Sequence, residues 1–124
     1  MLEAYSTNIT VEALSALPFN STSLIKGCTA THPSADTFNL NKCGVYMVAV
    51  DATAEDATTI QLVKDGVVQP QAQATGGAVS FTTLVQVDKN NSPCCACESP
   101  VSLQVTSDTA TTFTNCNITI TKIV

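Results

Sequence analysis

Thr37-Phe-Asn-Leu-Asn-Lys-Cys-Gly-Val-Tyr-Met-Val-Ala-Val-Asp51, followed after a polar gap by Thr59-Ile-Gln-Leu-Val-Lys-Asp-Gly-Val-Val-Gln-Pro-Gln-Ala-Gln73, decides the fold of this chain. It reads as a strand, a glycine corner, a strand apolar on both faces, and a hairpin turning on Asp65-Gly66. Asp-Gly suits a two-residue hairpin because both central positions of a type I′ turn need positive φ. Val45 through Val50 show no polar alternation, so that strand is predicted to lie mid-sandwich and to be covered on both sides.

Outward from that centre, strands are predicted near residues 5–11, 17–25, 36–41, 44–53, 58–64, 67–74, 78–88, 100–107 and 115–123. Between them fall turn signals at Gly27, Pro33-Ser34, Lys42-Cys43-Gly44, Asp65-Gly66, Gly76-Gly77, Asn90-Asn91-Ser92-Pro93 and Ser107-Asp108. Such spacing marks an antiparallel sandwich or jelly roll. Val79, Phe81, Thr83, Val85 and Val87 alternate with Ser80, Thr82, Gln86 and Asp88, which gives one buried face. Val101, Leu103 and Val105 repeat the pattern, as do Ile118 and Ile120 against Thr119 and Thr121. The alanine-rich stretch 51–58 is too short to stand as a helix and reads as a loop.

At 124 residues the chain reads as one domain spanning its whole length, enough to bury roughly two-thirds of its unfolded surface. Hydrophobic residues make up 44% and charged residues 12%, a globular and not a disordered balance. Thr and Val abound, and branching at Cβ favours the half-buried surface of a strand, so the fold class is all-β. The net charge of −5 arises from Lys and carboxylates, with no Arg. Arg is the preferred fork for phosphate and guanine edges, so its absence argues against nucleic-acid recognition. No apolar run approaches the ~18 residues of a membrane span, and the Met1-Leu-Glu-Ala-Tyr-Ser start has no leader pattern, so neither membrane nor export is expected. Four Asn-x-Ser/Thr sequons, at Asn8, Asn20, Asn90 and Asn117, carry little meaning without export.

The six cysteines are Cys28, Cys43, Cys94, Cys95, Cys97 and Cys116. An even count in a small loop-rich domain makes all of them disulfide candidates. Adjacent Cys94 and Cys95 point to opposite faces if extended, so they suit separate partners. Cys28 and Cys43 flank a Pro-containing loop and its following strand, and a bond between them would close it, contributing ~3 kcal/mol through the unfolded chain. Two alternatives stand beside this: buried free thiols, or zinc held by Cys28-x3-His32 with Cys94-Cys95-x-Cys97. Neither half of that zinc set has a Cys-x2-Cys knuckle. His32 sits in Thr-His-Pro-Ser and reads as a solvated loop residue rather than a base for Cys28. Asp51 and the Glu55-Asp56 pair read as solvated acids rather than a calcium or glycosidase site. Gly76-Gly77 has no following helix or nearby Lys and is a turn, not a phosphate loop. No catalytic constellation, cofactor or metal site is expected.

Gly44-Val-Tyr-Met-Val, the Val-Lys-Asp-Gly hairpin and the alternating Val/Leu strand ending in Asp88 together resemble the C1q/TNF-like jelly roll over about residues 35–123. The short Thr/Ala-rich version of that domain is the nearest likeness. It occurs in the heads of bacterial spore-surface collagen-like proteins and in phage virion proteins. The chain departs from the family pattern at Val87-Asp88-Lys89-Asn90 and at Asn117-Ile-Thr-Ile-Thr, and no Gly-X-Y stalk precedes the domain. The resemblance implies a two-sheet antiparallel jelly roll of eight to ten strands that packs as a homotrimer. It implies a non-enzymatic virion structural role, of capsid-decoration or head-fibre type, with partners such as a major capsid protein. A glycan- or receptor-binding adhesin head, or a spore-surface trimer, is the alternative. A strand apolar on both faces needs a neighbour for the side its own sandwich leaves open. Val45, Met47 and Ala49 are therefore the predicted trimer seam, with Tyr46, Val48 and Val50 facing the core. A Lys at Gln86 is expected to leave assembly intact.

Overall fold

The computed structural model describes residues 1–87 and 96–124, the side chains of 96–100 excepted. Cys94, Cys95, the Asn90–Pro93 turn and the Cys97 side chain thus lie outside the described residues. The strands are β1 (Leu2–Val11), β2 (Ser15–Ala16), β3 (Ser21–Ile25), β4 (Ala30–Ser34), β5 (Thr37–Lys42), β6 (Gly44–Lys64), β7 (Val67–Val87), β8 (Ala96–Ser107) and β9 (Thr111–Lys122). Every pairing among them is antiparallel.

Two layers share one long hairpin. The first runs β3–β1–β9, then the leading half of β6, then the trailing half of β7. The second runs β4–β5–β8, then the trailing half of β6, then the leading half of β7, with β2 added at the end of β8. Strand β6 leaves β9 after Ala54 and joins β8 at Ile60, so one strand serves both sheets.

That crossing corrects two sequence readings. The stretch 51–58 is not a loop: β6 continues through it, with its register against β7 shifting between Thr53 and Thr58. Small Ala and Thr side chains let the backbone bend there while keeping partners; Ala54 faces Phe113, and the Asp56 N–H donates to Thr111 Oγ1 at 3.2 Å. Gly76-Gly77 is likewise no turn but the matching corner of β7, where Gly76 takes φ +149° opposite Thr58. Tertiary pairing overrides the local preference of both segments, the alanine-rich run and the paired glycines alike.

The inward rows fill the space between the layers. Tyr46, Phe19, Phe38, Phe113, Leu2, Leu62, Ile118 and Ile120 are all fully buried. Each such side chain contributes about 1.5–3 kcal/mol on leaving water, which is why the pleat locks in this register. Phe19 meets Phe38 edge-on at 5.5 Å between ring centroids. The buried Tyr46 hydroxyl donates to the Lys42 carbonyl at 2.7 Å, so its polar end is satisfied. The hairpin tip turns as its sequence requires, with φ +49° at Asp65 and +81° at Gly66. Asp65 also ties the tip to the second sheet by accepting from the Ser102 N–H at 2.8 Å.

Candidate oligomer interface

From Val45 to Ala54, strand β6 separates its residues strictly by parity. Tyr46, Val48 and Val50 are fully buried, while Val45, Met47 and Ala49 point outward and are half-buried. Within one chain this strand is covered on one face only, which corrects the reading of a strand covered on both sides. The outward row is not alone. Met47 pairs with Leu84 on β7 and Thr121 on β9, and Ala49 pairs with Thr82 and Thr119. Leu84 is 58% exposed, the largest apolar side chain beside the row. Sequence reading missed it, although it is the one apolar residue interrupting the outward series Ser80, Thr82, Gln86. Gln86 faces Val45 across the pair, so it borders this patch rather than lying away from it.

The chain terminus extends the apolar end. The Ile123 N–H donates to the Val45 carbonyl at 2.8 Å, and Ile123 and Val124 are both exposed. Gly44 makes this approach possible: at φ +142° a Cβ there would run into the Val124 carbonyl and the Lys122 side chain. Two residues past Ala49 on the same face the character changes. Asp51, Thr53, Ser80 and Asn115 line a shallow depression of about 250 Å³. The face therefore has an apolar end and a polar end with Asp51, and Glu3 on β1 adds a second carboxylate beside Thr119.

Strand β7 forms the margin of both sheets and, among the described residues, pairs only with β6. From Val67 to Val87 it carries no charged residue. Exposed edges are normally blunted with charge, and an uncharged one invites a partner. Pro70 and the Gly76 corner blunt the leading half. The trailing half, beside Met47, has only Leu84, Thr82 and Gln86 to present.

The remaining candidates do not assemble into chemistry. Cys43 is disulfide-bonded, whereas Cys28 is an exposed free thiol and Cys116 a buried one, so the Cys28–Cys43 closure does not form. Asn41 spans that loop instead: its N–H donates to the Thr29 carbonyl at 2.8 Å, and its side-chain Nδ2 to the Cys28 carbonyl at 3.1 Å. Burial pushes the Cys116 thiol up to about 11, so it stays neutral and unreactive. His32 is not a loop residue but part of β4, stacked on Phe38 at 4.2 Å. Its ring nitrogens face Thr22 Oγ1 at 3.2 Å and the Ala35 carbonyl at 3.1 Å, not a thiol. Among the described residues no group of His, Cys, Asp and Glu is placed to hold a metal ion.

The globular domain of zebrafish complement 1qA protein superposes on this chain with a TM-score of 0.72 at 10% identity, covering 99% of this chain and 96% of that one. Murine APRIL does so at 0.63 and 8% identity, covering 98% of each chain. Rabbit GITRL gives 0.59 at 12% identity, over 100% of this chain and 95% of its own. The fold is a C1q/TNF-like jelly roll. No family model and no curated protein matches the sequence. The likeness is one of architecture, and within that architecture the apolar row lies on the outer face of the first sheet.

Proposed function

We propose that this chain is a non-enzymatic structural protein that assembles as a homotrimer through the outer face of its first sheet. The carrying observation is the Val45, Met47, Ala49 row with the exposed Leu84 beside it, next to an uncharged sheet margin. The C1q/TNF-like fold commonly trimerises. A net charge of −5 per chain sets copies repelling one another, so association is cheapest through the part of this face around Met47 and Leu84, which bears no charge. Packing three such patches about an axis removes them from water at a gain of roughly 25 cal/mol per Å².

Within that reading we place the trimer on a virion, as a capsid-decoration or head-fibre component contacting other virion proteins such as a major capsid protein. Support comes from the sequence likeness to the short Thr/Ala-rich domains of phage particles, and from the lack of any nucleophile–base pair among the described residues. Sedimentation equilibrium tests the first step: a single species at three times the chain mass supports it, and a monomer at micromolar concentration overturns it. Peptide mass spectrometry of purified particles tests the second, where absence of the chain from particles that carry its gene overturns the virion role.

A further inference from the structure

The charges of this chain are sorted along its strands. At one end of the sandwich Val11 closes β1 opposite Thr111, which opens β9, so Glu12 stands at the rim. Asp56 joins it through its N–H bond to Thr111 Oγ1, with Glu55 beside it in the chain. Asp108 accepts from the Thr59 N–H at the same rim, and Asp36 shares a surface cleft with Glu12. Among the described residues no Lys lies at this end. At the other end Lys122 pairs with Tyr46, and Lys42 pairs with Ala96 and gives its carbonyl to the Tyr46 hydroxyl. The Lys26 N–H donates to the Met1 carbonyl there, and Lys64 Nζ reaches the Gln86 carbonyl at 2.8 Å, one pair from Gly44 and Val87. These are all the described Lys. Asp65 is the acidic side chain described beside them, and Glu3 and Asp51 lie between the ends. Asp88, Lys89 and the Glu98 side chain lie outside the described residues. From Thr111 to Lys122 the extended chain covers about 36 Å, so the two groups are well separated. The Glu12, Glu55, Asp56, Lys26 and Lys42 side chains are exposed and make no hydrogen bond or ion pair among the described residues.

We propose that copies of this chain join end to end, the Glu12, Glu55 and Asp56 rim of one seated on the Lys26 and Lys42 end of the next. Charge sets the polarity: rim on rim, or Lys end on Lys end, places like charges together, whereas head to tail pairs opposite ones. Such a contact joins two different patches, so it does not close on itself and repeats into a stack. Exposed ion pairs contribute little each, so apolar groups must supply the rest. Leu14 stands 76% exposed at the acid rim, at φ +64°, with its N–H donating to the Ser107 carbonyl at 2.8 Å. Ile25 and Ile123 are exposed at the Lys end. The sorting of charge belongs to one chain, so the proposal stands whether the stacking unit is the trimer or a single copy.

Sedimentation velocity at about 10 mM salt, where charges act over ~30 Å, and at about 1 M, where they act over ~3 Å, tests this. Species larger than the high-salt unit are expected at low salt, and added salt should return them to that unit. The size of the high-salt unit reports separately on the trimer. Glu12→Lys with Glu55→Lys, and Lys26→Glu with Lys42→Glu, should each abolish the growth, and an equimolar mixture of the two should restore it. Leu14→Asn, a residue that accepts positive φ, should weaken the association about tenfold. It carries the test alone if thermal melting shows that a charge-reversal variant has lost its fold. No growth at low salt, growth that salt does not reverse, a mixture of folded variants that stays small, or growth unchanged in Leu14→Asn overturns the proposal.

Discussion

One strand, β6, contributes to two outward faces, and the two have opposite chemistry. Its leading half presents Val45, Met47 and Ala49; its trailing half presents Thr59, Gln61 and Val63. The inward residues do not differ in kind: Tyr46, Val48 and Val50 on one side of the crossing, Ile60 and Leu62 on the other, all without exposure. Backbone, pleat and core are thus held constant while the outer rows diverge. The inward parity builds the sandwich, and the outward parity assigns each sheet its role. The first sheet is apolar where it meets an uncharged margin, which suits burial against copies of itself. The second is hydroxyl- and amide-rich, which suits contact with water.

The sharpest way to break that contrast is to place a like charge on each face. Met47→Lys would bring three cations together in a dry seam, with desolvation costing several kcal/mol per ion before any repulsion. The variant should sediment as a monomer or precipitate. Gln61→Lys adds the same charge to the second face and should leave the trimer intact. Gln86→Lys, which the alternation alone marks as harmless, is instead expected to weaken assembly, because Gln86 faces Val45. A trimer equally stable in the Met47→Lys variant refutes the seam.

Smaller perturbations sharpen the comparison within the first face. Gly44→Ala should destabilise the fold by about 1–3 kcal/mol, the usual cost of a side chain at a backbone conformation it resists. The urea midpoint should fall accordingly, and the exposed terminus should release from Val45 first in hydrogen exchange. Asp51 is the carboxylate that follows Ala49 on the outward row, so trimer formation gathers like charges at the polar end. Asp51→Asn should tighten the trimer by about 0.2–1 kcal/mol and flatten the salt dependence of its dissociation. An Asn variant that dissociates more readily would place Asp51 in a favourable contact instead.

The all-β jelly roll, the Asp65-Gly66 turn and the inward parity of β6 were legible because each is local: a two-residue rule or a period of two. What the sequence hid is non-local. Leu84 looked like an irregularity in a polar row, and acquires meaning only from its register opposite Met47. The Cys28–Cys43 pairing failed because Cys43 is bonded to another cysteine and Cys28 is left free, a choice of partner that no count of cysteines reveals. Residues 51–58 were read as a break because an alanine-rich run that short cannot stand as a helix, and Gly76-Gly77 because paired glycines favour a turn. They stay extended because both lie where the long hairpin passes from one sheet to the other. The chemical difference between the two outer faces was written in the sequence, but assigning it to separate sheets needed that crossing.

The crossing itself offers the smallest and most selective test. Where β6 enters the second sheet, Asp108 Oδ1 accepts from the Thr59 N–H at 2.9 Å and from Thr58 Oγ1 at 3.1 Å. Thr58 Oγ1 also lies 2.7 Å from Ser107 Oγ. The Thr59 N–H bond, outweighing desolvation and helped by the Thr58 hydroxyl, holds the Asp108 carboxyl below its ordinary value of 3.8. A carboxylate with a depressed folded value stabilises the fold fully above the unfolded value, and that contribution is lost as pH falls through the folded one. Wild type should therefore exceed Asp108→Asn in urea midpoint at neutral pH, with the gap unchanged down to about pH 5 and closing below 3.8. Hydrogen exchange should show the loss at Thr58 and Thr59 while the amides of Val48 and Val50, fixed by apolar packing in the first sheet, keep their protection. A gap that persists at acid pH would mean that Asp108 acts through shape rather than charge. Uniform loss of protection along β6 would mean that its two halves open as one unit.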